Sequence, residues 1–161
     1  MERVERKPVS EKTAYQRMAR LCSMKECCSF DIRQKLLRMQ LADNAVNNIM
    51  SLLLKQKYID DSRYTRSFIS DKLRFSKWGK TKIVFTLRQK QMSQETIDQA
   101  LEAFSDEVLL QSLKPLLEKK LKSVKGKSEY EKRTKVIRFA LGRGFSMPDI
   151  LEYLGKMPEE N

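Results

Sequence analysis

Residues 78–101, WGKTKIVFTLRQKQMSQETIDQAL, decide how this chain is read. A basic helix, a short break and a second amphipathic helix follow one another, like half of a helix-turn-helix. Its apolar positions Ile83, Leu87, Met92, Ile97 and Leu101 are separated by steps of 4, 5, 5 and 4. Steps of four keep side chains on one helical face, and the paired fives carry the chain across a tight link. The same steps connect Ile32, Leu36, Leu41, Val46 and Met50, and again Val136, Ala140, Phe145, Ile150 and Leu154. Offsets of 51 and 53 residues superimpose the three sets without an internal gap. The opening stretch is therefore one copy of a repeated unit.

A further amphipathic segment precedes each pair. The first carries Tyr15, Met18, Ala19 and Cys22, and the second Tyr64, Phe68, Ile69 and Leu73. Leu109, Leu113, Leu116, Leu117 and Leu121 form the third. The spacing predicts an all-α chain of three tandem three-helix repeats, stacked into an elongated, curved array. The boundaries run 1–10 for an N-terminal tail, 11–58, 59–104 and 105–157 for the repeats, and 158–161 for a C-terminal tail. Ser29, Asp43, Asp60 or Asp61, Ser93, Ser128 and Ser146 stand where helix starts are needed, with Glu131 completing an S-x-x-E capping box. Pro115 must kink or split the helix it lies in.

The charge is the strongest global signal: 33 Lys and Arg against 21 Asp and Glu give a net +12. Such a balance implies a polyanionic partner. Basic residues gather on the middle segment of every unit. Lys77, Lys80, Lys82, Arg88 and Lys90 lie in an acid-free run from 72 to 94, and Lys132, Arg133, Lys135 and Arg138 in another from 132 to 148. The first unit offers Arg33, Lys35 and Arg38. Repetition at one structural position makes a basic stripe, suited to a periodic polyanion or a filament groove. Trp78 and Phe85 are aromatic anchor candidates. Phe85 falls opposite the core face of its helix, where it either meets a partner or packs between adjacent units.

Other classes find little support. The chain has no histidine, no Gly-rich phosphate loop and no nucleophile setting, so no catalytic, cofactor or metal site is expected. Cys22, Cys27 and Cys28, an odd count on one predicted helix, point to core filling in a reducing compartment rather than to disulfides. No stretch approaches the roughly 18 apolar residues of a membrane span, and the N-terminal MERVERKPVSEK lacks a signal-peptide core. A cytoplasmic, monomeric protein is expected.

YIDDSRY, residues 58–64, followed by GKTKIVFTLRQKQMS, residues 79–93, resembles the central pattern of the RecX regulatory family. Tyr58, Ile59, Asp60, Asp61, Arg63 and Tyr64 match its first part; Gly79, Ile83, Leu87, Lys90 and, loosely, Met92 match the second. Two family glycines are replaced, by Lys57 before the aromatic and by Gln91 between the second and third helices. Gln40 holds the equivalent place in the first unit, whereas the third keeps Gly144. Gln91 should cost about 1 kcal/mol or force another turn geometry.

The resemblance implies three tandem three-helix units and a partner, the RecA recombinase filament on single-stranded DNA. It implies that the chain lodges in the filament groove and restrains ATP hydrolysis, strand exchange and coprotease activity in DNA repair and the SOS response. Contacts to single- or double-stranded DNA phosphates would accompany this. The alternative is a direct helix-turn-helix DNA binder, such as a transcription regulator.

Overall fold

A computed structural model describes residues 8–156. Every regular element among them is helical. The first unit comprises α1 (Glu11–Met24), α2 (Ser29–Leu37) and α3 (Asp43–Lys55). The second comprises α4 (Asp61–Asp71), which runs into a π-helical turn at Lys72–Ser76, then α5 (Lys80–Gln89) and α6 (Gln94–Leu101). The third contains α7 (Asp106–Leu109), α8 (Leu113–Ser123), α9 (Glu129–Gly142) and α10 (Met147–Lys156).

The repeated apolar register is the core register. Of the three superimposable sets, all residues are buried except Leu41 and Leu101, which are half-buried. They build three separate cores. Ile32, Leu36, Ile49 and Leu53 belong to the first, Ile69, Leu73, Ile83 and Leu87 to the second, and Leu113, Leu117, Val136 and Ile150 to the third. Each such side chain contributes about 1.5–3 kcal/mol by leaving water. One unit of this size is still marginal alone, so coupling to a neighbour matters. Cys28 and Leu109, from the flanking units, complete the second core. The array is elongated, with three cores in series rather than one shared centre.

The left-handed turns retain one geometry despite the missing glycines. Gln40, Gln91 and Gly144, equivalent in register, have φ of 57°, 58° and 97°. After Gln91 the Met92 amide donates to the Leu87 carbonyl at 3.1 Å, and after Gly144 Phe145 donates to Ala140 at 3.3 Å. These are six-to-one closures of a helix end, and they persist with a glutamine in the strained position. Lys57 (φ 59°) closes α3 the same way, through Tyr58 to Leu53 at 3.0 Å. Of the two alternatives for Gln91, the turn keeps its left-handed geometry and carries the strain.

Several start signals shift in detail. Ser10, Asp60, Ser93, Ser105 and Ser128 accept a backbone amide as N-caps. Ser29 and Asp43 are first helical residues rather than caps, which fall on Cys28 and Ala42. The Glu131 carboxylate accepts from the Lys127 amide at 3.0 Å, one residue before the expected partner. Pro115 accompanies a split: the chain breaks at 110–112, and Pro115 sits in the first turn of α8, where its missing amide has no partner to lose. The cysteines do not share one helix. Cys22 lies on α1, while Cys27 and Cys28 lie between α1 and α2; all three are buried and free.

Candidate functional site

The three middle helices stand head to tail. At the end of α9 the carbonyls of Arg143 and Gly144 accept the amides of Gly79 (2.8 Å) and Thr81 (3.0 Å), which begin α5. The far end of α5 reaches α2, where Lys90 pairs with Asp31 of the first turn at 2.6 Å. At each junction a helix end meets a helix start, a favourable order for the helix dipoles, and Asp31 offsets the Lys90 charge beside the start of α2. The approach of α9 to α5 requires glycine on both sides. A Cβ on Gly79 would lie 2.4 Å from the Gly144 carbonyl oxygen, and one on Gly144 2.3 Å from Lys82 Cβ.

The motif YIDDSRY proves to be the other half of this jointing. Asp60 caps α4 through the Arg63 amide at 3.0 Å. Asp61 turns away and accepts the Ser29 amide at 2.8 Å, filling an orphan donor at the start of α2. Arg63 pairs with Glu26 at 2.6 Å and also donates to the Lys57 carbonyl at 3.3 Å. Ile59 is buried in the first core, and Tyr64 stacks on Phe68 in the second at 5.8 Å. These residues join unit to unit.

The structure divides the candidate cations into two groups. Lys82 and Lys90 are engaged inside the array. Lys82 donates to the Gly142 carbonyl at 3.4 Å and lies 4.4 Å from the Trp78 ring centre, and Lys90 holds Asp31. Burial works against the Lys90 charge, but the hydrogen bond to Asp31 and the nearby Tyr64 and Asp31 outweigh it, raising its pKa. Lys132 and Lys135 pair with Glu129 (3.5 Å) and Glu131 (3.3 Å) on their own helix. Lys77, Lys80, Arg88, Arg133 and Arg138 are exposed, and none forms an ion pair among the described residues.

The two aromatics separate likewise. Trp78 is half-buried, edge-on to Phe68 at 6.5 Å, with Lys72 4.5 Å from its ring centre. Phe85 is 61% exposed and is not buried between units. It stands with Lys80 and Arg88 along a groove of about 720 Å³ between α5 and the third unit, whose far wall carries Asp106, Phe145 and Asp149. Among the described residues no cluster could hold a metal ion, and no helix is long and apolar enough to cross a membrane.

Comparison with known proteins joins these units to a family. The model of the RecX second three-helix domain matches residues 60–101, and that of the RecX third three-helix domain matches residues 106–154. The chain belongs to the RecX family. It is 30% identical over 136 residues to regulatory protein RecX of Clostridium acetobutylicum, covering 81% of this chain and 62% of that protein. Regulatory protein RecX of Limosilactobacillus reuteri is 31% identical over 133 residues, 83% of this chain and 50% of its own length. The chain thus spans about half to three-fifths of the curated relatives it matches first. A crystal structure of regulatory protein RecX superimposes with a TM-score of 0.82 at 27% identity, over 91% of this chain and 73% of that one. RecX from Lactobacillus salivarius shares the fold, with a TM-score of 0.77 at 20% identity over 91% and 95%.

Within this RecX architecture, sequence reasoning left one constellation unassembled. Lys119, Lys120 and Arg143 converge with Lys77 on a second concavity, between α8 and α9. They come from three elements, so no periodicity in the sequence groups them.

Proposed function

We propose that this chain binds the RecA recombinase–single-stranded DNA filament along its helical groove and restrains ATP hydrolysis, strand exchange and coprotease activity. The observation that carries the reading is the column of middle helices, with exposed cations repeated along it and an aromatic groove beside it. A rod with regularly spaced contacts can touch successive protomers of a helical polymer, and linked weak contacts add up to firm binding. On this reading Lys80, Arg88, Arg133 and Arg138 supply the charge facing the filament, and Phe85 is the anchor. Lys82 and Lys90 act indirectly by holding the column together. The role is that of a regulator, without a catalytic residue of its own.

The column also weighs against a helix-turn-helix DNA reader. Such proteins present the N-terminal end of a recognition helix to base edges. Here the start of α5 is docked on α9, with its Gly79 and Thr81 amides occupied.

The test is recombinase ATPase and strand exchange with the wild-type chain and with Lys80→Glu/Arg88→Glu/Arg138→Glu. Inhibition by the wild type is expected to weaken at least about tenfold in the variant at unchanged helicity, since several phosphate- or carboxylate-facing cations are reversed together. Equal inhibition by both would remove these residues from the mechanism. Sequence-selective duplex binding without recombinase would support the DNA reader instead.

A further inference from the structure

The concavity between α8 and α9 measures about 750 Å³. The two helices form a hairpin linked by residues 124–128, and the end of the π turn closes one side. Four cations line it and no acid does: Lys77, Lys119, Lys120 and Arg143. Two of them are held over one aromatic ring, with Lys120 Nζ 4.6 Å and Arg143 Cζ 5.2 Å from the centre of Phe139. Arg143 is anchored again where its guanidinium donates to the Ser76 carbonyl at 3.2 Å. Lys77 sits in a left-handed conformation, φ 57°, with its amide bonded to Lys72.

The acid-free lining sets this cleft apart from the groove beside α5, whose wall carries Asp106 and Asp149. The ion pairs among the described residues engage Arg63, Lys90, Lys132, Lys135 and Lys156, and none of the four cleft cations. Like charges gathered in one concavity repel, and an anion placed among them relieves that repulsion. Because the arginine and one lysine are already positioned, little side-chain freedom is lost on binding. The wall between the charges is apolar: Pro115 and Leu116 face the cleft beside Phe139. A volume near 750 Å³ suits one compact ligand rather than an extended chain.

We propose that this cleft binds a nucleoside phosphate unit, with Lys77, Lys119, Lys120 and Arg143 around the phosphate and Pro115 and Leu116 against the sugar and base. A free nucleotide and a nucleotide of single-stranded nucleic acid present the same chemistry. The site bridges the second and third units, because Lys77 comes from one and the other cations from the other. It does not depend on the filament reading, since binding is measured without recombinase.

The test uses the full chain with three fluorescent probes: ATP, an eight-nucleotide oligothymidylate and a decaglutamate peptide. Lys119→Glu/Lys120→Glu is compared with Lys114→Glu/Lys122→Glu, a charge-matched pair exposed on α8 outside the cleft. Cleft reversal should weaken the nucleotide probes at least about tenfold and lower the oligonucleotide's salt slope by about one to two, while the control pair loses about threefold or less. ATP binding that follows this pattern identifies free nucleotide as the source; oligonucleotide binding without ATP binding identifies the strand. Equal losses in both variants, no binding of either nucleotide probe, or decaglutamate bound as tightly and lost in parallel would each overturn the site. Circular dichroism checks that both variants keep wild-type helicity, and Leu116→Ala, which leaves the charge unchanged, should weaken ATP or oligonucleotide but not inorganic phosphate.

Discussion

Replacing Gly144 by alanine should loosen the joint between the second and third units. The added Cβ would stand 2.3 Å from Lys82 Cβ and 2.7 Å from the Lys82 backbone nitrogen, and the second of these is backbone that cannot swing aside. Its φ of +97° is also foreign to an L side chain. Strain of that kind costs on the order of 1–3 kcal/mol. Relieving the clash requires α5 and α9 to separate, which breaks the amide bonds from Gly79 to Arg143 (2.8 Å) and Thr81 to Gly144 (3.0 Å). Each is worth about 1 kcal/mol net. The contributions overlap, since opening the joint relieves part of the strain, so the expected loss is about 3 kcal/mol. For a chain of this size that lowers the Tm by roughly 6–12 °C. Thermal unfolding followed by circular dichroism reads it directly, and helicity before the transition should be unchanged because each unit keeps its own core. A Tm within about 2 °C of wild type would show that the joint tolerates a side chain, and the close approach of α9 to α5 would be refuted.

Three further outcomes follow from the same geometry. Gln91→Gly relieves a left-handed residue on an exposed turn and should raise the urea midpoint by the equivalent of about 0.5–1 kcal/mol; no gain would mean the turn holds little strain. The buried Cys22 and Cys28 thiols, pushed up by burial to about 12 and about 11, should react with a disulfide reagent at pH 8 only as fast as the chain opens, and rapid labelling of the native protein would contradict their burial. Stability should fall at alkaline pH: burial raises Cys28 from 9.0 to about 11 and Tyr64 from 10.0 to about 12, so the unfolded chain ionises first. Lys90 acts in the same direction, its stabilisation being present below the ordinary lysine pKa of 10.5 and lost as pH rises through its raised folded value. Asp31→Asn should flatten the lysine part of that decline, and an unchanged profile would place the Lys90–Asp31 pair outside the folded state's charge balance.

The residues that resembled a family pattern turn out to have a mechanical meaning. Asp60 and Asp61 stood as interchangeable capping candidates in the sequence, yet one caps its own helix and the other reaches 32 residues back to Ser29. Gly79 stood only as a position of the family pattern, and its reason lies in the backbone of Gly144, far along the chain. The basic stripe was legible as a run of charges, but the sequence could not distribute them. Lys82 and Lys90 belong to the joints, Lys132 and Lys135 to carboxylates of their own helix, and Lys77 to a cleft with cations from α8 and α9.

What the sequence alone determined is therefore what a single helix can encode. Steps of four and five name the buried face, and Asp, Ser and Pro mark the ends, because both depend on neighbours within a turn or two. The stacking of α9, α5 and α2 into one column, and the cleft beside it, were decided only in the tertiary structure. Those contacts join residues 32 to 67 positions apart through backbone amides, carbonyls and single charge pairs, and such contacts leave no periodicity for a sequence to display.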